Sequence, residues 1–546
     1  MAARKRTSRR EFLAFSTAVA AATAAGMGQK GGAAMGASVV SGSGNPLQLW
    51  LYYSTNLLVP RNIDALEKVW RKAARIGYSH ILLTDSKFAI LGSLGGNRPK
   101  YLAHVKRVRE IAADLHLQLA PTVFQLGYSN DLLANNPHLA EGLPVRNVSF
   151  VVHGQVGRVA ADPAANLSAK PDWHDPTVHV HGHTATIHSP HANARISFQR
   201  QLKPFHAYHV SLEIRTDGFS RAPKLAALGK NNRNLQYEDI KTKPHQPWQR
   251  YDLVFNTLEE TDIKLYLGTW GKSNGTLELR NWTMEVAGLV NPLGRPGAPT
   301  VVRGYRPGSD YLPISDPLLG MQPYRGQYQP WHKPVDIHFI RKIPDGTRVE
   351  VSWFYPPIIY GGEVTACPSS PEMRRLFAQE ARDMRNVLPT HGYMMDFDEI
   401  RTLNQDDSCR KLHKTAGEIL ASTTRYCTDL LHGAQSYTWT DMFDPFHNAH
   451  DHYFLVRGTL AGSWKGLSPE TIVFNWNGPQ RVKSLRWFER LGNKQIIATY
   501  YDAPLSHTQA WVRAAKGIKG VLGYMYTTWS NDYKQIEPFA KLVRGG

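Results

Sequence analysis

The residues best suited to chemistry are Asp396-Phe397-Asp398-Glu399-Ile400-Arg401, which directly follow an apolar run that begins at Tyr393. A buried strand has no structural need for three carboxylates at one end, because burying charge is costly unless the groups are paired or reactive. Adjacent acids shift each other's proton affinity, so one of them can donate and accept protons near neutral pH. The pattern predicts a catalytic pair at Asp398 and Glu399, with Asp396 orienting the site.

The elements around these acids predict an α/β fold, a (β/α)8 TIM barrel with an inserted all-β sandwich. Apolar strand runs alternate with helical periods on both sides of a long central region, which is typical of parallel α/β structure. Ser370-Pro371-Glu372 predicts a helix start with Ser370 as its cap. The candidate strands lie at 47–53, 79–85, 117–124, 347–355, 392–398, 435–441, 471–477, 494–502 and 520–529. Nine candidates exceed the eight strands of such a barrel, and the run near Val351 is the best candidate for a strand outside it.

The predicted barrel strands start apolar and finish with polar or aromatic residues. The carboxyl ends of parallel barrel strands converge on one face, where barrel enzymes keep their sites. Aromatic rings stack on the C–H faces of sugars, while carboxylates and amides bond the hydroxyls. Aromatic plugs in the barrel mouth explain one or two such ends, but not six. The predicted substrate-binding residues are Asp85, Asp396, Arg401, Trp439, Asp441, Trp476, Asn477, Tyr501, Asp502 and Trp529.

Changes in hydrophobic pattern and composition along the chain divide it into five predicted parts. Between residues 146 and 290 the helical period disappears and short alternating runs appear, as in a jelly-roll carbohydrate-binding module. The predicted parts are an export signal and linker (1–44), the first part of the barrel (45–145), the inserted sandwich (146–290), a Pro/Gly-rich connection (291–335) and the remainder of the barrel (336–546).

The first residues predict export. Ser8-Arg9-Arg10-Glu11-Phe12-Leu13 matches a twin-arginine signal, and a short, weakly apolar Ala-rich stretch follows it. That stretch is a poor permanent membrane span. A basic disordered tail is the alternative. The signal predicts a protein of the periplasm or the cell exterior.

The charge and composition limit the classes of molecule that the protein is expected to bind. The formal net charge of +19 indicates either a solvated basic surface or affinity for acidic partners, such as an acidic glycan or the cell envelope. No basic-aromatic module suggests nucleic acid. Three cysteines allow one disulfide at most, and no Cys-x-x-Cys pair suggests a zinc ribbon. No cofactor and no metal are predicted, and the sequence does not specify an oligomeric state.

Two histidine groups are weaker candidates for a metal. His179, His181 and His183 alternate on one predicted strand face, for which a solvated strand is the simpler interpretation. The histidines at 447, 450 and 452 follow the predicted strand at 435–441 and could contact a substrate. No phosphate-binding glycine loop or Gly-x-Ser-x-Gly elbow supports a nucleotide or esterase function.

Four groups of residues make the barrel portions resemble the β-N-acetylhexosaminidases of glycoside hydrolase family 20. They are Asp398-Glu399, Leu83-Thr84-Asp85, Trp439-Thr440-Asp441-Met442-Phe443 and Trp529. The resemblance implies a glycoside hydrolase in which Glu399 protonates the glycosidic oxygen and Asp398 orients the substrate's own 2-acetamido group, a substrate-assisted retaining mechanism. It further implies sugar-pocket walls from Trp439, Trp476 and Trp529, a hydroxyl contact from Asp441, and a tyrosine at 500 or 501 on the acetamido carbonyl.

Two departures leave alternatives open. The first strand lacks the family's arginine, and Asp396-Phe397 replaces the double glycine before the acids. In a conventional retaining mechanism the nucleophile is another strand-end acid, Asp441 or Asp502. The competing class is a non-catalytic glycan- or envelope-binding protein on a degenerate barrel. An enzyme requires Glu399 in an open pocket with aromatic walls and a second acid about 5–9 Å away. If Glu399 instead points into the barrel core, salt-bridged and closed off, the interpretation as an enzyme fails.

Overall fold

The computed structural model describes residues 47–320, 328–360 and 362–545, and its centre is a closed barrel of eight parallel strands. The barrel closes where the last strand pairs with both the first and the seventh. The strands are nearly fully buried, as their continuous apolar runs require. They are β1 (Gln48–Ser54), β2 (His80–Thr84), β3 (Gln118–Val123), β4 (Gly392–Met395), β5 (Gln435–Trp439), β6 (Ile472–Asn475), β7 (Gln495–Tyr500) and β8 (Val521–Thr527).

Helices lie between most of the barrel strands along the chain. The connection from β5 to β6 differs, because its helical elements are two 3-10 turns, Asp441–Phe443 and Ser463–Gly466. The two short α-helices are Pro317–Gly320 and Asp407–Arg410. The longer helices are α1 (Pro60–Ile76), α2 (Arg98–Asp114), α3 (Pro371–Val387), α4 (Ala416–Leu430), α5 (Arg481–Leu491), α6 (Leu505–Ala515) and α7 (Ile536–Arg544). Among the described residues, no helix is long and apolar enough to cross a membrane.

Helix ends follow local sequence chemistry. Pro371 opens α3 and Ser370 occupies its N-cap position, as predicted, although the Ser370 side chain makes no capping hydrogen bond. The start of α4 carries a capping box between Thr415 and Glu418. Helix α1 ends at Gly77, which adopts the left-handed conformation with φ of 97° and closes the last turn.

Two five-stranded antiparallel sheets between β3 and β4 share one apolar core, so the prediction of a β-sandwich beside the barrel is confirmed. Alternate residues are buried in Thr184–His188, as a half-buried strand requires, whereas Lys224–Leu228 and Asn234–Asp239 are almost fully buried. One sheet is ordered Gln246–Asn256, Ala207–Asp217, Thr276–Val286, Thr184–His188, Val178–His181. The other is ordered Asn234–Asp239, Lys224–Leu228, Asp262–Thr269, Ala194–Gln201, Trp173–His174.

A third five-stranded sheet joins the chain on either side of the sandwich. Its central strands, Leu143–His153 and Arg348–Tyr355, pair antiparallel over seven residue pairs. The run near Val351 therefore lies outside the barrel, and the other eight candidate strands form it. The sheet is ordered Val301–Val302, Arg348–Tyr355, Leu143–His153, Val156–Val159, Ile337–His338. A two-stranded sheet pairs Thr402–Leu403 with Leu455–Val456.

Candidate functional site

The three clustered acids lie in the loop after β4. The strand ends at Met395, three residues before the predicted end. Asp396 is half-buried, whereas Asp398 and Glu399 are each 1% exposed. Glu399 has φ of 49°, a left-handed conformation that costs a non-glycine residue of order 1 kcal/mol or more. The surrounding contacts therefore hold this residue in a specific orientation.

The Glu399 carboxylate has a hydrogen bond on one oxygen and an ion pair on the other. Oε2 accepts a hydrogen bond from the Tyr128 hydroxyl at 2.7 Å, and Oε1 lies 2.9 Å from a guanidinium nitrogen of Arg401. Glu399 and Arg401 are both buried, so water screens this pair little. The predicted open pocket around Glu399 is wrong: the tyrosine and the arginine enclose the carboxylate.

Arg401 is the centre of this arrangement. Its guanidinium also pairs with the buried carboxylate of Glu363, and one nitrogen donates to the Tyr128 hydroxyl at 3.1 Å. The guanidinium carbon lies 4.4 Å from the centre of the Tyr360 ring and 5.3 Å from that of Phe454. These rings provide cation–π contacts in a desolvated setting. Arg401 therefore neutralises two buried acids and, in this conformation, is 1% exposed.

Asp441 positions the backbone of the candidate acid. Its Oδ2 accepts the Glu399 amide N–H at 2.7 Å and the Asn448 side-chain amide at 2.9 Å. Its Oδ1 accepts the Trp476 indole N–H at 3.3 Å. Asp441 is fully buried and engaged on both oxygens. The end of β5 thus fixes both Glu399 and Trp476.

Asp398 is placed by close backbone contact. A Cβ added at Gly127 would stand 1.7 Å from the Asp398 carbonyl oxygen, so only glycine fits there. Gly127 follows β3, and the loops after β3 and β4 therefore touch directly.

Asp396 is the one acid of the three with clear solvent access. Its Oδ1 accepts the Trp439 indole N–H at 2.9 Å. Its backbone N–H donates to Val123 at 3.0 Å and its carbonyl accepts from Leu126 at 3.2 Å, which continues the β3–β4 pairing past the strand. Trp439 is itself buried at the end of β5.

Aromatic side chains from β1, β7 and β8 meet at the same end of the barrel. The Trp529 ring stacks on Tyr501 with centres 5.9 Å apart and contacts Tyr52 edge-on at 4.9 Å. Trp529 is half-buried, so part of this aromatic mouth, defined as Tyr52, Tyr501 and Trp529, faces solvent. Three consecutive residues, 500–502, have positive φ, which turns the loop after β7 sharply.

Three of the predicted substrate-binding residues make hydrogen bonds within the loops at the strand ends. Asp502 accepts from the hydroxyls of Thr528 and Ser530 and from the backbone of Trp529. Asn477 donates to Asp444 at 3.2 Å, to Ser484 at 2.9 Å and to the Phe446 carbonyl at 2.9 Å. Asp85 caps the 3-10 helix Ser86–Ser93 and accepts from Leu57 and Tyr101. In these three cases the polar strand end serves loop geometry.

Tyr128 and Glu363 are site residues that the sequence analysis missed. Tyr128 comes five residues after β3, so the rule that strand ends converge could have found it. Glu363 lies in a Pro/Gly/Tyr-rich stretch with no period, and its pairing with Arg401 had no sequence signal.

The two histidine groups lie apart from any metal-ligand set among the described residues. His179 and His181 are exposed on the strand Val178–His181. His447 packs edge-on against Trp476 with ring centres 4.4 Å apart, and burial lowers its pKa to about 3, so this imidazole is neutral.

Comparisons with known proteins return partial structural likenesses. No family model and no curated protein matches the sequence. A rhamnosidase from Novosphingobium sp. PP1Y matches with a TM-score of 0.32 and 10% identity, over 91% of this chain and 58% of that one. A chitobiase from Flavobacterium johnsoniae matches with a TM-score of 0.25 and 18% identity, over 33% and 30%. A carbohydrate-binding module from the Cellvibrio mixtus lichenase 5A, in complex with cellotriose, matches with a TM-score of 0.17 and 12% identity, over 22% and 95%. These TM-scores are low.

Proposed function

We propose that the chain is a glycoside hydrolase that binds a glycan at the carboxyl end of the barrel and cleaves it beside the loop after β4. The supporting observation is the contact set of Glu399, whose oxygens receive the Tyr128 hydroxyl and the Arg401 guanidinium. A cation and a hydroxyl donor both stabilise the ionised form of a carboxylate. Glu399 is thus a carboxylate paired with a cation at the position where barrel enzymes carry catalytic groups.

This environment changes the role proposed for Glu399. A proton donor needs surroundings that favour its neutral form, whereas a nucleophile or a stabiliser of positive charge needs to stay ionised. We therefore assign Glu399 the anionic role: it attacks the anomeric carbon as the bond to the leaving oxygen breaks. Water then attacks the same carbon and releases Glu399.

The proton for the leaving oxygen comes from a second carboxyl, and Asp396 is the candidate. Asp396 is half-buried, and the Trp439 indole N–H donates to its Oδ1. In the second step the same group takes the proton from water. Asp398 keeps an assisting role through its position next to Gly127.

The substrate side of the proposal is the aromatic mouth. Tyr501 and Trp529 present stacked rings to the opening, and sugar C–H faces pack on such rings. The net charge of +19 favours an acidic glycan among the possible substrates. The 2-acetamido sugar implied by the family resemblance is the other candidate.

The test is turnover of a panel of 4-nitrophenyl glycosides, including hexosaminides and uronides, by the full chain. We expect Glu399→Gly to lose roughly a thousandfold or more in kcat on any substrate turned over by the wild type. Azide should restore turnover of Glu399→Gly and yield a glycosyl azide of opposite anomeric configuration. Asp396→Asn should retain the most turnover on substrates whose leaving groups are good, because these need the least protonation. Glu372→Gln, on the exposed first turn of α3, is the matched control.

A second candidate, a non-catalytic glycan-binding protein, is favoured by the enclosure of Glu399 and Arg401 at 1% exposure. It predicts no turnover of any glycoside by the wild type, with glycan affinity that falls on Trp529→Ala and is unchanged by Glu399→Gln. Calorimetric titration with soluble polysaccharides separates the two candidates. Unchanged turnover in Glu399→Gly would remove this residue from the mechanism.

We further propose that the barrel belongs to the (β/α)8 class and that the protein is exported by the twin-arginine route. The helices between most strands support the class. The signal at Arg9 and Arg10 lies outside the described residues, so its support is the sequence alone. Fractionation of cells expressing the wild type and the double variant Arg9→Lys, Arg10→Lys tests export. We expect only the variant to accumulate in the cytoplasm, and equal distribution would contradict the proposal.

A further inference from the structure

Four buried side chains from three separate segments of the chain converge on one another. Glu141 precedes the strand Leu143–His153, Cys367 precedes α3, and Asp406 and Cys409 flank the start of the short helix Asp407–Arg410. Each is 0% exposed, and one ligand atom from each lies within 4.8 Å of all the others. The cluster combines two thiols with two carboxylates in a dry space, a donor set suited to a metal ion.

The separations between these atoms match the edges of a tetrahedral zinc site. With Zn–S near 2.3 Å and Zn–O near 2.0 Å, two sulfur ligands stand about 3.8 Å apart and a sulfur and an oxygen about 3.5 Å apart. The sulfurs of Cys367 and Cys409 are 3.7 Å apart. Cys367 Sγ lies 3.5 Å from Asp406 Oδ1, and Cys409 Sγ lies 3.3 Å from Glu141 Oε2. Three edges of the tetrahedron are thus already in place.

The outer contacts orient the donors toward one another. Arg295 binds the other oxygen of Asp406, and the backbone amides of Gln405 and Asp406 donate to the other oxygen of Glu141. Such outer hydrogen bonds are what fix ligating carboxylates in metal sites. Among the described residues, the inner oxygen of Glu141 has only the Cys409 thiol as a partner, and a thiol is a weak donor.

We propose that Glu141, Cys367, Asp406 and Cys409 bind one zinc ion. On binding, the two thiols lose their protons to solvent, and the sulfurs coordinate as thiolates. The ion would link three segments: the one that contains Glu141, the one before α3 that contains Cys367, and the one after Glu399 that contains Asp406 and Cys409. This is a structural site with four protein ligands, so it does not depend on the glycosidase proposal.

The first test is the metal content of the full chain, purified without chelator and measured by inductively coupled plasma mass spectrometry. We expect about one zinc per chain in the wild type and in Cys427→Ala, which removes a buried cysteine outside the cluster. Cys409→Ser and Asp406→Asn should each bind much less. Cobalt exchanged into the wild type should give a thiolate-to-cobalt charge-transfer band in the near ultraviolet.

A second measurement on the wild type holds even if the variants fail to fold. Unfolded in chelator and denaturant without reductant, a zinc-bound chain should show three reactive thiols, because neither cluster cysteine is oxidised. A single reactive thiol with no bound metal would mean a Cys367–Cys409 disulfide and would overturn the proposal. Three thiols with no metal bound, even after incubation with zinc chloride, would overturn it equally.

Discussion

The Glu399 carboxylate lies 2.9 Å from the Arg401 guanidinium, and both side chains are 1% exposed. The same guanidinium pairs with Glu363, so one cation balances two buried acids. Removing one partner of a buried pair leaves an uncompensated charge, which costs more than the pair itself contributes. The stability of this region therefore depends on Arg401.

Arg401→Met should lower the free energy of unfolding by about 3–5 kcal/mol, because it leaves Glu363 and Glu399 without their cation. Urea unfolding followed by circular dichroism measures it. Arg303→Met is the matched control, because Arg303 pairs with Glu350 on the exposed surface, where such a pair contributes about 0–1 kcal/mol. Equal effects of the two changes would show that the buried pair is not retained in solution.

Tyr128→Phe removes the hydroxyl that donates to Glu399 and keeps the ring beside Arg401. A hydrogen bond to a charged group contributes about 1.5–3 kcal/mol, so kcat/KM should fall roughly tenfold to a hundredfold. Steady-state kinetics on the best substrate of the glycoside panel measures the fall. Tyr453→Phe is the control, since the Tyr453 hydroxyl is buried without a hydrogen bond among the described residues. A similar fall in both variants would assign the effect to packing.

Gly127→Ala places a methyl group against the Asp398 carbonyl and should push the loop after β4 away from β3. Overpacking of this kind costs about 1–3 kcal/mol. Thermal unfolding and turnover should both decline. Gly96→Ala serves for comparison, because a Cβ there meets no heavy atom within 4 Å. If Gly127→Ala retains both properties of the wild type, the contact between the two loops does not position Asp398.

Glu380 on α3 should make stability fall as pH rises. Burial raises the pKa of Glu380 to about 8, with Asp396 and Asp383 adding to the rise. The folded state therefore holds a proton between the ordinary glutamate pKa and pH 8, where the unfolded state has lost it. Over that interval unfolding becomes easier by about 1 kcal/mol per pH unit.

Glu380→Gln removes this slope. We expect the variant to gain stability over the wild type as pH rises from 5 to about 8. Urea unfolding across that range measures the gain, and Glu372→Gln on the exposed first turn of the same helix should leave the slope unchanged. Parallel curves for the wild type and Glu380→Gln would show that Glu380 ionises alike in both states.

Sequence patterns predict the barrel strands well because continuous apolar runs ending in polar residues have few other structural explanations. They predict the types of strand-end residues but not the hydrogen bonds that these residues make. The expected positions are occupied by Asp85, Asn477 and Asp502, and each of these residues makes hydrogen bonds to loop residues. Site residues that lie in irregular segments could not be predicted from sequence patterns. Glu363 has no periodic context, and the four donors of the proposed zinc site come from three separate loops, so no metal was predicted.

The pairing of β3 with β4 has a consequence for how the chain acquires its structure. Tyr128 and Glu399, which meet across that junction, are 271 residues apart in the chain. Contacts of such high contact order form slowly, because the intervening chain must first become compact. During synthesis, β3 lacks its neighbour β4 while the residues of the sandwich are being added to the chain. An unpaired strand edge promotes aggregation. The edge of β3 therefore stays unpaired until β4 has been synthesised, and for that time the emerging protein is exposed to aggregation.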